Sequence, residues 1–295
     1  MDTDDRGPAT RPPILDVPCP ICGGRNSTPY AVENGFELVR CGGCGLLYVT
    51  PRPDPVATAA AHQYGLHEGD TTLAVTGRYR PDRVRPYLRI LRDVHGASLP
   101  PTCRRWLDIG CGHGEFLTAL GRFAGDDVSL IGLEPNVTKA RGCVARGLDV
   151  RSVGLEEVDG NFSTISLLNV FSHLQDPTEF IAGCVARLEP GGELLLETGD
   201  TADLAAVDHP RPLFLPDHLL FANERIVHRV LTEVGLQVLS VHHYSAASAV
   251  PVQVIRECQR AVQRRDVPPV LAATRRWVRE RQRRIDMYIQ ARRPD

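Results

Sequence analysis

Two groups of residues in this 295-residue chain have the types and spacing to do chemistry. The first is Cys19-Pro-Ile-Cys22 with Cys41-Gly-Gly-Cys44, two C-x2-C pairs with 18 residues between them. A tetrahedral zinc site tolerates about 15 to 20 residues between such pairs, and Gly23 and Gly45 follow each pair where backbone turns back toward sulfur. Four thiolates fill the coordination sphere, so the zinc would be structural, and a reducing cytosol disfavours two disulfides instead. Between Val17 and Arg52 the basic residues Arg25, Arg40 and Arg52 are balanced by Glu33, Glu37 and nearby Asp16. That leaves no basic stripe for nucleic acid, and a core of fewer than about 40 residues needs a metal to fold at all. The remaining cysteines, Cys103, Cys111, Cys143, Cys184 and Cys258, are scattered and read as small buried apolar groups.

The second group is Trp106-Leu-Asp108-Ile109 running into Gly110-Cys-Gly112-His-Gly114-Glu115 and then into Phe116, Leu117 and Leu120. A glycine-rich turn between strand and helix lets backbone approach a ligand closely. A dinucleotide fingerprint would require glycine at position 115, where the helix N-terminus cradles a pyrophosphate. Glu115 repels a diphosphate there, and Asp108 suits a ligand carrying positive charge. S-adenosylmethionine has a sulfonium, an ammonium and no phosphate. Glu134, 24 positions after Gly110, stands where an acidic side chain takes both ribose hydroxyls.

The elements that must position these groups can be read from pattern. Residues 1–14 are polar and Pro-rich and read as a disordered lead-in, 15–53 as the zinc ribbon, and Pro51-Arg52-Pro53-Asp54-Pro55 as a linker. Residues 54–101 read as a helical connector, with Val84, Leu88 and Leu91 on one face. From 102 to 295, short apolar runs alternate with amphipathic segments, the texture of βα units. Strands are expected at 106–109, 128–133, 149–153, 163–169, 194–198 and 237–241, with a final strand at 285–291 after a helical insertion over about 245–283. Asp176-Pro177-Thr178-Glu179 predicts a capped helix running to Leu188, and Asn223 to Val234 another, ended by Gly235.

Residues 104–291 resemble a class I S-adenosylmethionine-dependent methyltransferase. The resemblance rests on the Trp-Leu-Asp-Ile-Gly-Cys-Gly-His-Gly run, on Gly132-Leu-Glu-Pro135, on Leu167 through Pro177, on Leu188 through Glu197 and on Pro216-Asp-His218-Leu-Leu-Phe221. The ribbon ahead of it is similar to a zinc-binding domain fused to many bacterial members. The resemblance implies an α/β, doubly wound, seven-stranded and mostly parallel sheet whose last strand is antiparallel. It places Asp108, Gly110, Cys111, Gly112 and Gly114 around the methionine end, Glu134 with Pro135 at the ribose, Gly154 and Leu155 at the adenine, and Asn169 beneath the sulfonium.

Methyl transfer from a sulfonium is an in-line displacement, so alignment supplies most of the rate, with effective molarities of about 10⁵ M or more. For a hydroxyl acceptor a histidine base adds about 10²- to 10⁴-fold. His173 and His218, beyond strand ends in the matched segments, are the candidates, with His209 behind them; His62, His67, His95, His113, His228, His242 and His243 read as surface or structural. The family often carries Glu immediately before the first of these histidines. Here it is Ser172, which argues against a carboxylate-assisted mechanism and against an added divalent metal. Tyr64 and Tyr79 are candidates for closing over the cofactor, against an ordinary place on a helix. Arg275, Arg276, Arg279, Arg281, Arg283 and Arg284 read as a solvated face.

With 34 basic and 36 acidic side chains, the chain has a formal charge of -2 and no bulk field for nucleic acid or an anionic membrane. No apolar run is long enough to span a bilayer and the N-terminal residues lack a signal-peptide pattern, so a cytoplasmic enzyme is expected. Its acceptor is expected to be a small molecule, a sugar or secondary metabolite methylated on oxygen. Methylation of RNA or protein is the alternative; no Asn- or Asp-Pro-Pro-aromatic motif of base-methylating enzymes is present. A non-catalytic zinc-ribbon interaction protein is the third reading. The acceptor's identity and the oligomeric state, monomer or homodimer, stay open.

Overall fold

A computed structural model describes residues 12–245 and 284–295. The lead-in over 1–11, Cys258, most of the expected insertion and all its arginines except Arg284 lie outside the described residues. The N-terminal part builds strands β1 (Ile14–Leu15), β2 (Ser27–Glu33), β3 (Phe36–Cys41), β4 (Leu47–Val49) and β5 (Arg52–Pro53). Two expectations are corrected here. Ile14 is not lead-in, because β1 pairs antiparallel with β5, Ile14 facing Pro53. Nor are residues 51–55 a linker: after β5, the Asp54 carboxylate accepts the Ala57 N–H at 2.7 Å and Pro55 opens helix α1 (Pro55–Tyr64).

The connector is less helical than its composition suggests. Gly65, with φ of 68°, closes α1 in the left-handed conformation. Two short antiparallel strands follow, β6 (Leu66–His67) and β7 (Leu73–Ala74), and helix resumes with a 3-10 turn at Pro81–Arg83 that runs into α2 (Val84–His95). Val84, Ile90 and Leu91 are its buried face.

The remaining elements are β8 (Arg105–Ile109), α3 (Glu115–Ala124), β9 (Ser129–Leu133), α4 (Val137–Val144), β10 (Val150–Arg151), β11 (Phe162–Leu168), α5 (Pro177–Arg187), β12 (Leu188–Gly199), β13 (Leu220–Phe221), α6 (Glu224–Glu233), β14 (Gln237–Tyr244) and β15 (Asp286–Arg292). Seven of the strands form one sheet in the order β10-β9-β8-β11-β12-β15-β14. Only β15 runs antiparallel to both its neighbours. The edge strand β10 is shorter than the expected 149–153, since only Val150 and Arg151 find ladder partners. β12 is longer than expected, beginning directly where α5 ends. The Asp176 cap acts as read, accepting the Glu179 N–H at 2.9 Å, and Asn223, expected inside its helix, instead caps it by accepting the Ile226 N–H at 2.9 Å.

Alternation sorts the sheet's side chains between two cores. Trp106 and Leu195 pack with α2 and α3 on one face. Leu107, Leu194 and Leu196 pack on the other with α5, α6 and, in the same cluster, Leu38, Leu46 and Leu47 of the ribbon. The ribbon is therefore not tethered at a distance. Its β4 pairs antiparallel with β13, Tyr48 facing Leu220, so one four-stranded sheet joins the first fifty residues to residues 220–221. Among the described residues no helix is long and apolar enough to cross a membrane.

Candidate functional site

The strand order reverses between β8 and β11, where doubly wound sheets leave a crevice at the carboxyl ends. There a cavity of about 1120 Å³ opens, lined by Asp108, the 110–113 loop, Glu134 and Asn169. Asp108 is buried, and its Oδ1 accepts the Ser166 hydroxyl at 2.5 Å. Gly110, with φ of 68°, turns the chain so tightly that a Cβ there would meet Val170 Cγ2 at 2.5 Å. Gly112, also left-handed, has nothing within 4 Å of its Cβ position, so a ligand can lie against bare backbone. Glu134 is buried and braces this loop: Oε2 accepts the Gly112 N–H at 2.7 Å and Oε1 the Asn136 N–H at 2.9 Å.

Cys111, Pro135, Gly154 and Leu155 line the same cavity. Gly114 does not. A Cβ there would strike Leu148 and Cys143, so its small size serves packing against the α4 side. Glu115 faces the cavity and accepts the Arg80 N–H at 2.7 Å. Arg78, Arg80 and Arg83 of the connector line it too, and Tyr87 does where Tyr64 and Tyr79 do not. Tyr64 is exposed and Tyr79 lies under the Arg146 guanidinium at 4.2 Å. Acids at the strand ends facing arginines across an apolar-floored hollow fit a zwitterionic cation such as S-adenosylmethionine, whose ammonium and sulfonium want the first and whose carboxylate wants the second.

Burial pushes the Asp108 carboxyl up to about 7, with the Ser166 hydrogen bond opposing and the Glu134 charge adding. A raised acid keeps its proton in the native state while the unfolded chain has lost it, so stability falls as pH rises from about 4 to about 7. Measured by urea midpoints without cofactor, the stability difference should move in favour of Asp108→Asn by about 1.4 kcal/mol per pH unit between about pH 4.5 and 6.5. It should level off above about 7. A pH-independent difference would mean that Asp108 does not titrate in that window.

The other end of the cavity gathers residues that are remote in sequence. His173, in a turn at Phe171–His173 just after β11, and Asp217, in the loop before β13, both line it, as does His62 of α1. His173 Nδ1 lies 2.8 Å from the Asp217 carbonyl and 3.3 Å from its Oδ1. His67 Nε2 lies 2.9 Å and His62 Nε2 3.9 Å from that same Oδ1. Burial alone would lower the His173 pKa, but the hydrogen bond and charge of Asp217 outweigh it and hold the ring above its ordinary value. Burial would raise the Asp217 carboxyl, yet His173 and His67 pull it well below the carboxylate range. His62 is pushed down to about 4 by burial and then by the neighbouring His173.

His218 is brought beside His173, with ring centroids 4.9 Å apart. Its ring packs edge-on against His173, Phe214 and Phe221 and does not line the cavity; burial, then His173, lowers it to about 4. His209 is buried against Tyr30 and Phe221, away from the cavity. Asp217, His62 and His67 are residues the sequence reading passed over or took as structural. The carboxylate that Ser172 fails to provide comes instead from Asp217, on a loop 44 residues beyond His173.

In the ribbon, Cys19, Cys22, Cys41 and Cys44 converge with their sulfurs all within 4.8 Å of one another. The Cys19–Cys44 and Cys22–Cys41 sulfurs are each 3.5 Å apart. That is far beyond a disulfide's ~2.05 Å and close to the ~3.8 Å edge of a tetrahedron with ~2.3 Å zinc–sulfur bonds. The thiol set therefore fits zinc. Cys103, Cys111, Cys143 and Cys184 are buried.

A family model described as a methyltransferase domain matches residues 78–241, more than half of the chain. The ubiquinone biosynthesis O-methyltransferase of Xanthomonas axonopodis pv. citri (strain 306) is 33% identical over 114 residues, 35% of this chain and 46% of that protein. That of Xanthomonas oryzae pv. oryzae (strain PXO99A) is 34% identical over 118 residues, 36% of this chain and 47% of that protein. The chain thus spans about half the length of the curated relatives it matches. Among solved structures, the [4+2]-cyclase SpnF aligns with a TM-score of 0.51 at 16% identity, covering 81% of this chain and 92% of that one, a likeness of fold.

Proposed function

Because the chain belongs to the methyltransferase-domain family, we propose that it is an S-adenosylmethionine-dependent class I enzyme that methylates a hydroxyl of a small-molecule acceptor, with His173 as the base. The observation that carries the reading is one cavity lined at one end by Asp108, Gly110, Gly112 and Glu134 and at the other by His173 and Asp217. The O-methyltransferase names of the relatives favour oxygen as the methylated atom. Bound S-adenosylmethionine supplies an electrophilic methyl group on a sulfonium. Asp108 and Glu115 hold its positive end, Arg80 and Arg83 its carboxylate, Glu134 with Pro135 its ribose, Gly154 and Leu155 its adenine, and Asn169 the floor.

On the acceptor side, an Nδ1–H pointed at Asp217 leaves the His173 Nε2 lone pair free to take the acceptor's proton. The Asp217 charge makes that lone pair more basic and fixes the ring. His218, lowered and outside the cavity, supports His173 by packing against it. Cys19, Cys22, Cys41 and Cys44 would hold a structural zinc. The reading includes a cytoplasmic location and no nucleic-acid partner.

Release of S-adenosylhomocysteine, followed over a panel of small hydroxyl-bearing acceptors, tests the assignment. His173→Ala should lower kcat by ~10²- to 10⁴-fold with cofactor affinity unchanged, and His218→Ala should cost less. A double variant turning over at the wild-type rate would exclude both histidines from proton transfer.

A further inference from the structure

The histidines around Asp217 are arranged for more than one hydrogen bond. His62 and His67 come from the last turn of α1 and from β6, with the Gly65 turn folding one back beside the other; their rings meet edge-on with centroids 5.5 Å apart. Both Nε2 atoms are shut away from solvent; His67 Nε2 lies 2.9 Å from Asp217 Oδ1, while His62 Nε2, 3.9 Å from the same oxygen, has no hydrogen-bond partner. Buried polar atoms without partners cost free energy, so an unpaired buried ring nitrogen asks what normally satisfies it. Here that His62 nitrogen and the His67 nitrogen face one oxygen, Asp217 Oδ1, and the three ligand atoms lie within 4.8 Å of one another.

We propose that His62 Nε2, His67 Nε2 and Asp217 Oδ1 bind a divalent transition-metal ion, separate from the four-cysteine zinc site and opening into the acceptor end of the cavity. The 2.9 and 3.9 Å separations bracket the ~3.3 Å edge expected for ligands ~2.0–2.1 Å from a tetrahedral ion. Two imidazoles and one carboxylate are a borderline-hard donor set that suits zinc, iron, manganese or cobalt. Three protein ligands leave a coordination position free. Because His62 and Asp217 line the cavity, that position faces the acceptor, whose hydroxyl or carbonyl oxygen would fill it. His173 does not compete, since its Nδ1 hydrogen already has the Asp217 carbonyl at 2.8 Å. The metal assignment stands on these donors alone and survives if methyl transfer to a hydroxyl is refuted.

Cobalt(II) added to metal-stripped full-length chain distinguishes the two sites by colour, since only thiolate ligation gives intense sulfur-to-cobalt charge transfer. Two equivalents are expected, one with that absorption and one with ligand-field bands alone. His67→Ala and Asp217→Asn should lose only the second equivalent, with affinity down ~100-fold or more, and keep the thiolate absorption of the first. His62→Gln, at a side chain 23% exposed, guards against misfolding as the cause of loss, because the retained thiolate absorption reports an intact fold. Wild-type chain that binds a single equivalent, or a second equivalent that persists in both His67→Ala and Asp217→Asn, overturns the assignment.

Discussion

Replacing Glu134 with alanine should weaken S-adenosylmethionine binding by ~10²- to 10³-fold. The carboxylate accepts two main-chain N–H groups, at Gly112 and Asn136, and each charge-assisted bond of this kind contributes about 1.5–3 kcal/mol. Its loss leaves the glycine loop without its brace and takes away the group proposed to meet the ribose. Asn136 goes with it, since its own side chain caps α4 through the Thr138 and Lys139 N–H groups. Glu134→Gln keeps one acceptor oxygen and should fall between. Calorimetric titration decides the matter: a Glu134→Ala chain that binds as tightly as wild type would remove the carboxylate from the cofactor site.

Cys41→Ser, or zinc removal by a strong chelator, should lower the whole chain's unfolding midpoint in a single transition and abolish turnover. Structural zinc contributes about 10–16 kcal/mol of apparent binding free energy in zinc-finger peptides, comparable with the entire stability of an ordinary domain at about 5–15 kcal/mol. That contribution cannot stay local here. Leu38, Leu46 and Leu47 share one core with Leu215, Leu219 and Val227. Glu33 accepts the Leu213, Phe214 and Leu215 N–H groups, and Arg40 donates to the Ala202 and Leu204 carbonyls. These contacts hold the loop that carries Asp217, so the acceptor end loses its frame with the ribbon. Scanning calorimetry on the metal-free chain would sink this expectation if the main transition kept its midpoint and methylation continued.

What could be read from sequence is what is encoded locally. The glycine turn after β8, the Asp176 cap and the alternation that marks β15 each depend on residues within one element or its flanks. The sheet order follows from them once the βα texture is recognised. The histidine–carboxylate group has no such signal, since it joins α1, β6, the turn after β11 and the loop before β13. Neither His62 nor His67 stands in a segment whose pattern suggests chemistry. Asp217 drew notice only as the neighbour of His218, and it is the residue of the two that lines the cavity. The ribbon's attachment was equally hidden, because a two-residue strand at Leu220–Phe221 leaves no periodicity to detect.

That two-residue strand constrains how such enzymes can be recombined. A chimera cut at residue 78, where the recognisable family domain begins, would discard β4 and leave Leu220 and Phe221 with a raw edge and a greasy flank exposed to water. Grafts between relatives should therefore travel with their first seventy-odd residues, or fail by clumping before catalysis can be asked about.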